Sequence, residues 1–348
     1  MADQVLESVP EWRRRQIDFV LATVVGVKGS TYRGLGARQL ISRDGSMVGT
    51  VSGGCLDNEL IDIAAAMGED DPARIVEFDL TADDEAVWGW GIGCNGVTQL
   101  LMESARAAQA LSELIDSGPG GVLHVLSGPE VGTHMGVEVS DEIWGAELAN
   151  ARREGRHRRL HRAGVDYLLE VVSGRSRLIV CGAGHDAVPL VRLGKELGFE
   201  TTVVDDRRAF LTHERFPEAD RLVQCAPADL TSHVDTDDGA YFVIMSHNYL
   251  RDVENLGSLI GTGAAYIGCL GPGERLERML KDLSARGIEP APTERIFGPA
   301  GLDLGADGPI EIAWAILSEI LTVRRQRRGG FLVDKKGPQN WRPQKWSN

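Results

Sequence analysis

No stretch of the sequence is long and apolar enough to cross a bilayer, so no transmembrane helix is expected. Positive charge is scarce: 37 Lys and Arg stand against 51 Asp and Glu, and the formal net charge of −14 argues against nucleic acid as a partner. Cysteine is scarce too. The five present are odd in number and widely scattered, which argues against a disulfide framework and fits a reducing cytoplasm. Residues 1–15 run acidic, then basic, and lack the apolar core of a signal peptide. The glycine-rich loops lack Walker spacing, and no Ser-His-Asp order or catalytic carboxylate pair stands out.

What is present suffices for two cores. At 348 residues and 43% apolar composition the chain suggests two domains, and 42 glycines point to loops that pass close to other backbone or to a ligand.

Ser52-Gly53-Gly54-Cys55 organises the first half. A strand-like run over residues 47–51 leads into it, and Leu56, Leu60, Ile63 and Met67 fall on one face of a helix behind it. Free N–H groups at a helix start favour negative charge, so this turn suits an anionic ligand, or sulfur or metal chemistry at the thiol. The plainer reading of a lone cysteine is a small buried hydrophobe beside a tight turn. Two more glycine-rich loops occur in this half. The loop 29–36, with Lys28 and Arg33, is either a phosphate cradle or a plain surface loop. The loop 88–96 holds Trp88, Trp90 and a second cysteine, Cys94, and precedes a strand over 97–102. A helix over 4–14, a strand over 18–27, a hairpin of 37–42 with 46–51 and a strand over 73–80 complete a mixed α/β domain. Residues 127–165 resist assignment, and the basic run 152–159 reads as a solvated face.

The second half changes style. Leu178-Ile179-Val180-Cys181 is the continuous apolar run of a buried parallel strand. Gly182-Ala183-Gly184-His185-Asp186-Ala187, a helix and a strand ending at Asp205-Asp206-Arg207 follow. Glycine turn, helix, strand and acidic end at this interval predict a Rossmann unit. Further strands over 221–225, 240–246, 265–269 and 295–297, with helices between, predict a doubly wound parallel sheet. Domain boundaries are expected at 1–173, 174–328 and a polar tail, 329–348. Ligands bind outside the carboxyl ends of such strands, which selects His185, Asp205, Asp206, Cys225, Ser246, His247, Asn248 and Cys269. Asp205 suits a ribose hydroxyl and Arg207 a phosphate. His185, His247 and Cys269 form a candidate soft metal site.

Several of these motifs, in this order, resemble the XdhC/CoxI family. They are Gly29-Ser30-Thr31, Gly34, Gly36, Ser52-Gly53-Gly54-Cys55 and Gly91-x-Gly93-Cys94-Asn95-Gly96 in the first half. In the second they are Gly182-Ala183-Gly184-His185, Val204-Asp205-Asp206-Arg207, Ser246-His247 and the segment from Gly301-Leu302-Asp303 to Ala313. The resemblance implies an accessory protein without turnover of its own. Such a protein binds molybdenum cofactor, supports its sulfuration and delivers it to a hydroxylase of the xanthine or carbon monoxide dehydrogenase type. It implies as partners the target molybdenum hydroxylase and a cysteine desulfurase, and a homodimer is a further expectation. Carried over, Ser52, Gly53 and Gly54 become the anion-binding turn, and Cys55 and Cys94 lie near the molybdenum or the transferred sulfur. Gly182, Gly184, His185, Asp205, Arg207 and His247 become the second domain's cofactor contacts, for a nucleotide or part of the pterin. Metal candidates are Cys55, Cys94 and Cys269. Where the family often has a Gly-Ser-Arg-Arg-like turn, this chain has residues 268–275, and Pro272 there removes a backbone donor. Two other functions stay open: an NAD(P)-dependent oxidoreductase, and a copper or molybdenum delivery protein using the strand-end histidines and cysteine.

Overall fold

A computed structural model describes residues 4–80, 95–118, 120–172, 174, 176–289 and 293–334. Trp88, Trp90, Gly91, Gly93, Cys94, Ser173, Arg175 and the tail from residue 335 lie outside the described residues. The chain divides into two compact units, Ala2–Ser173 and Gly174–Asn348.

The first unit opens with two helices, α1 (Gln4–Glu7) and α2 (Val9–Arg14), where the sequence suggested one. Pro10 explains the break: it has no N–H to continue a helical ladder, and it sits in the first turn of α2. Five antiparallel strands follow: β1 (Phe19–Ser30), β2 (Arg38–Ser42), β3 (Met47–Gly49), β4 (Arg74–Asp79) and β5 (Asn95–Ser104). They lie in the order β3-β2-β1-β5-β4. Alternation along β1 supplies both cores. Val20, Ala22 and Val24 pack under helix α3 (Asp57–Ala66), against Leu60 and Ala64. Phe19 and Leu21 pack against α2 and helix α4 (Ala105–Asp116). The β1–β5 ladder slips between Val24 and Gly26, leaving Val25 as an extra residue in β1.

A second antiparallel sheet holds β6 (Gly121–Val125), β7 (His134–Val137), β8 (Arg158–Arg162) and β9 (Val165–Val171), in the order β7-β6-β9-β8. Helix α5 (Gly145–Glu154) packs on it through Leu148 and Ala151. The stretch that resisted assignment, 127–165, holds β7, α5 and β8 of this sheet. β7 and β8 are short and mostly solvent-facing, so they carry no alternating apolar signal. The basic run ends α5 and enters β8, where Arg156 meets Glu154, Arg158 meets Glu147 and Arg159 meets Asp166.

Five buried polar groups from five strands meet in the first unit. Arg38 of β2 donates through Nη1 to Glu170 of β9 at 2.9 Å and also through Nη2. His124 of β6 shares Glu170 at 2.8 Å. His134, paired opposite His124 on β7, reaches Glu103 of β5 at 2.6 Å. Burial pushes His124 below the ordinary histidine range, more than Glu170 pulls it up. Burial pushes Glu170 up, but the charge of Arg38 and the bonds from His124 and Arg38 outweigh it, leaving its carboxyl well below the usual range.

The second unit is a six-stranded parallel sheet: β10 (Arg177–Cys181), β11 (Glu200–Asp205), β12 (Arg221–Gln224), β13 (Ala240–Ile244), β14 (Tyr266–Cys269) and β15 (Ile296–Phe297). Its order is β12-β11-β10-β13-β14-β15, the doubly wound arrangement expected of a Rossmann unit. Leu178 and Val180 face helices α6 (Ala187–Glu196) and α10 (Pro309–Arg324), while Ile179 and Cys181 face α7 (Leu230–His233), α8 (Tyr249–Leu259) and α9 (Gly273–Ala285). Both faces are covered, which is why these strands read as unbroken apolar runs.

Arg38→Met strands the buried Glu170 carboxylate and lowers the stability of the first unit by about 3–5 kcal/mol in denaturant titrations. A pH dependence follows as well. His124 and Glu170 each bind protons more weakly folded than unfolded, so each contributes stability that is present above its ordinary value and lost as pH falls. Melting temperature should therefore drop as pH passes below the ordinary histidine value of 6.5, and His124→Gln should flatten that part of the profile. An unchanged slope in the variant would assign the effect elsewhere.

Candidate functional site

In the first unit, strand pairing joins the start of the loop 29–36 to Asn95 and Gly96. Gly29 pairs with Gly96 and Ser30 with Asn95 at the end of the β1–β5 ladder. The Leu80 N–H donates to the Gly96 carbonyl at 3.0 Å, so the described chain on either side of residues 81–94 lies close together. Next to them is a small recess of about 10 Å³. Hydroxyl-bearing Ser30, Thr31, Tyr32, Ser52 and Thr98 line it, together with Cys55.

The turn itself is built locally. Ser52 is 4% exposed, and its Oγ accepts the N–H of Gly54 at 3.1 Å and of Leu56 at 3.4 Å. Gly54 has φ of +97°, a conformation that a side chain would strain. Cys55 is exposed, so it is not the small buried hydrophobe that a lone cysteine suggests. It stands two residues ahead of α3, whose first turn carries Asp57 and Glu59. Negative charge is thus already present at the helix start, and the donors available to a ligand are those of the turn. The amides of Gly53 and Cys55 have no hydrogen-bond partner among the described residues. Tyr32 covers Gly53, its ring 3.5 Å from where a side chain would begin. Lys28, Arg33 and Glu59 are exposed. Cys94 lies outside the described residues, immediately before Asn95.

In the second unit the expected residues share the carboxyl edge of the sheet. Gly182 and Gly184 follow β10, Asp205 ends β11 and His247 follows β13, the neighbour of β10. Gly182, at φ +127°, lies so close to β13 that a Cβ would come within 2.6 Å of the Met245 carbonyl oxygen. Asp205 is already engaged. It accepts from the Ala183 amide at 2.8 Å, and from Arg207 through its amide at 2.9 Å, Nε at 2.9 Å and Nη2 at 2.8 Å. Burial would raise its carboxyl, but these donors hold it at about 2. Arg207 lies over the Phe210 ring at 4.1 Å, and Asp206 pairs with Arg251 at 2.9 Å. His185 is exposed. His247 lies beside Gly184, and its Nε2 is 3.1 Å from Asp186.

The cysteines separate into two kinds. Cys269 is 4% exposed at the end of β14, and burial pushes its thiol up to about 12. Burial also raises Cys181 and Cys225. Among the described residues no group of three or more His, Cys, Asp or Glu is placed to hold a metal ion.

Sequence reasoning passed over Asp186, Asp252 and Arg275. Asp252 is 2% exposed in the first turn of α8, where it takes the amide and hydroxyl of Ser246 and Nη2 of Arg275 at 2.7 Å. An acidic residue in a first helical turn is ordinary in sequence, so only burial reveals it.

Comparison with known proteins gives a consistent set of relatives. Residues 178–320 match the XdhC Rossmann domain, and residues 12–79 match the XdhC and CoxI family. A Bacillus subtilis protein named as a probable xanthine dehydrogenase subunit is 30% identical over 341 residues, covering 94% of this chain and 97% of that one. The Escherichia coli molybdenum cofactor insertion chaperone PaoD is 23% identical over 313 residues, covering 88% of this chain and 83% of the chaperone. A crystal structure of a Bacillus halodurans protein named as a xanthine dehydrogenase superposes with a TM-score of 0.74 at 29% identity, covering 94% and 97% of the two chains.

The exposure pattern sets a labelling order. Brief alkylation of the native protein followed by peptide mapping should modify Cys55 and leave Cys181 and Cys269 unmodified until the chain is denatured. Labelling of Cys269 as fast as Cys55 would contradict the burial described.

Proposed function

The chain belongs to the XdhC and CoxI family, and from that premise we propose that it is a maturation factor that holds molybdenum cofactor and passes it to a molybdenum hydroxylase. The observation that carries this reading is the Ser52–Cys55 turn: an exposed thiol, two amides without partners among the described residues and a wall of hydroxyls at one place. The kinship with a chaperone named for inserting molybdenum cofactor supports it. The donor set fits one end of such a cofactor. Amides of Gly53 and Cys55, with the hydroxyls of Ser30 and Ser52, would hold an oxyanion, while the Thr31 hydroxyl donates to the Arg33 carbonyl at 3.0 Å. The Cys55 sulfur would lie against the metal or a transferred sulfur. The recess of about 10 Å³ accepts only such an end, so the pterin body would lie outside it.

When bound, the cofactor supplies a dithiolene-held metal whose terminal ligand is exchangeable. The chain's own part is to orient that end and to shield it until handover. A cysteine desulfurase as sulfur donor, a homodimer and a cytoplasmic setting belong to the same reading. Its rivals draw less support. In an NAD-dependent oxidoreductase Asp205 would take a ribose hydroxyl, and here four donors already occupy it. Metal delivery by His185, His247 and Cys269 would require a thiol that burial keeps protonated.

The test is to purify the protein from hosts with and without molybdopterin synthesis, oxidise it and measure released pterin fluorescence. Stoichiometric pterin from the competent host alone is the expected result, and no signal above the deficient host would sink the reading. Cys55→Ala should lower cofactor content or activation of an apo-hydroxylase by about tenfold, a loss of roughly 1.4 kcal/mol. Full loading and activation in that variant would remove Cys55 from the site.

A further inference from the structure

The carboxyl edge of the second unit holds a cleft that the first unit's site does not use. Its volume is about 280 Å³, close to the lower end of small-molecule pockets. Met245, Leu270 and Pro272 form an apolar wall, and His247, Asp252 and Arg275 are its polar members. It lies at the ends of β13 and β14, on the far side of the strand-order reversal from Asp205.

Each polar member is held by something behind it. Asp252 is buried and takes three donors, two from Ser246 and one from Arg275. One of the five guanidinium N–H groups of Arg275 is therefore spent on fixing the side chain, while its face lies 5.3 Å from the Tyr249 ring. Gly271, with φ of +113°, lets the stem pass: a Cβ there would come within 2.9 Å of Arg275 Cδ. His247 is a non-glycine residue in the left-handed region, φ +56°, and its side chain is 55% exposed. Asp186, across the reversal from β13, reaches its Nε2 at 3.1 Å. Strained backbone, a carboxylate behind an exposed imidazole and a guanidinium buttressed by a buried carboxylate converge on one apolar cleft.

We propose that this cleft binds a small oxyanion-bearing organic molecule. Its carboxylate or phosphate meets Arg275, its apolar body lies on Leu270 and Pro272, and a hydroxyl or carbonyl group meets His247. Arg275 suits the head group because a guanidinium offers parallel donors to either oxyanion. His247 suits the second contact because Asp186 orients its ring. The inference uses no residue of the Ser52–Cys55 turn, on which the proposed function rests. Either can fail alone.

The experiment uses the full chain and calorimetric titration with phenyl phosphate, benzoate and phenol. Saturable binding of one of the two anions, with phenol at least about tenfold weaker, is expected, and which anion binds identifies the head group. Arg275→Gln alone leaves the buried Asp252 without its cation, so the informative variant is Asp252→Asn with Arg275→Gln, which removes both charges together. It should lose about tenfold or more in affinity. His247→Gly removes the imidazole at a backbone conformation glycine adopts freely, so its melting temperature should be equal or higher while binding weakens. The proposal is overturned if neither anion saturates at millimolar concentration, if phenol binds as well as the anions, or if folded variants of both kinds bind as the parent does.

Discussion

The first unit depends on one buried ion pair. Arg38 and Glu170 join the second strand of one sheet to the third of another, in a place where neither charge reaches water. Such a pair contributes little net stability against an apolar substitute, but losing one partner is costly, so it specifies an arrangement more than it strengthens one. Its position matters for the site. Arg38 opens β2, directly after the loop 29–36, and Ser30 at the loop's other end is pinned by β5. The loop that lines the Cys55 recess is therefore tied at both ends by strands that the ion pair and the ladder keep in register.

The second unit uses a different constraint. Its sheet is covered on both faces, so ligand access is confined to the edge where the strands end. At that edge the two sides of the strand-order reversal are occupied unequally. On the β11 side Asp205 and Arg207 satisfy each other. On the β13 side an imidazole and a guanidinium face an apolar cleft. Unused polar capacity, more than the presence of a glycine-rich turn, distinguishes the β13 side from the β11 side.

Legibility in the sequence followed burial. The doubly wound half was readable because strands covered on both faces leave continuous apolar runs, and Leu178–Cys181 is such a run. The Ser52–Cys55 turn was readable because glycine and hydroxyl residues carry conformational meaning locally. The outer strands of the second sheet were opaque, since β7 and β8 bury few side chains and their stability comes from β6 and β9. The buried cluster of Arg38, Glu103, His124, His134 and Glu170 was invisible because its members are far apart along the chain. Contacts such as Arg38–Glu170, 132 residues apart, leave no periodic trace.

The extra residue in β1 has its own consequence. Side chains alternate along a strand, so one unpaired residue shifts the alternation by half a period. Ahead of Val25 the even-numbered residues of β1 face α3. Beyond it the odd-numbered ones take over that register: Val27 stands opposite Thr98 and Gly29 opposite Gly96, both walls of the Cys55 recess. In a ladder without the slip, Gly26 and Lys28 would occupy those two places, and an ammonium group would arrive where a glycine now stands. One residue of surplus backbone, remote from any ligand contact, thus decides whether this flank of the recess is neutral or cationic.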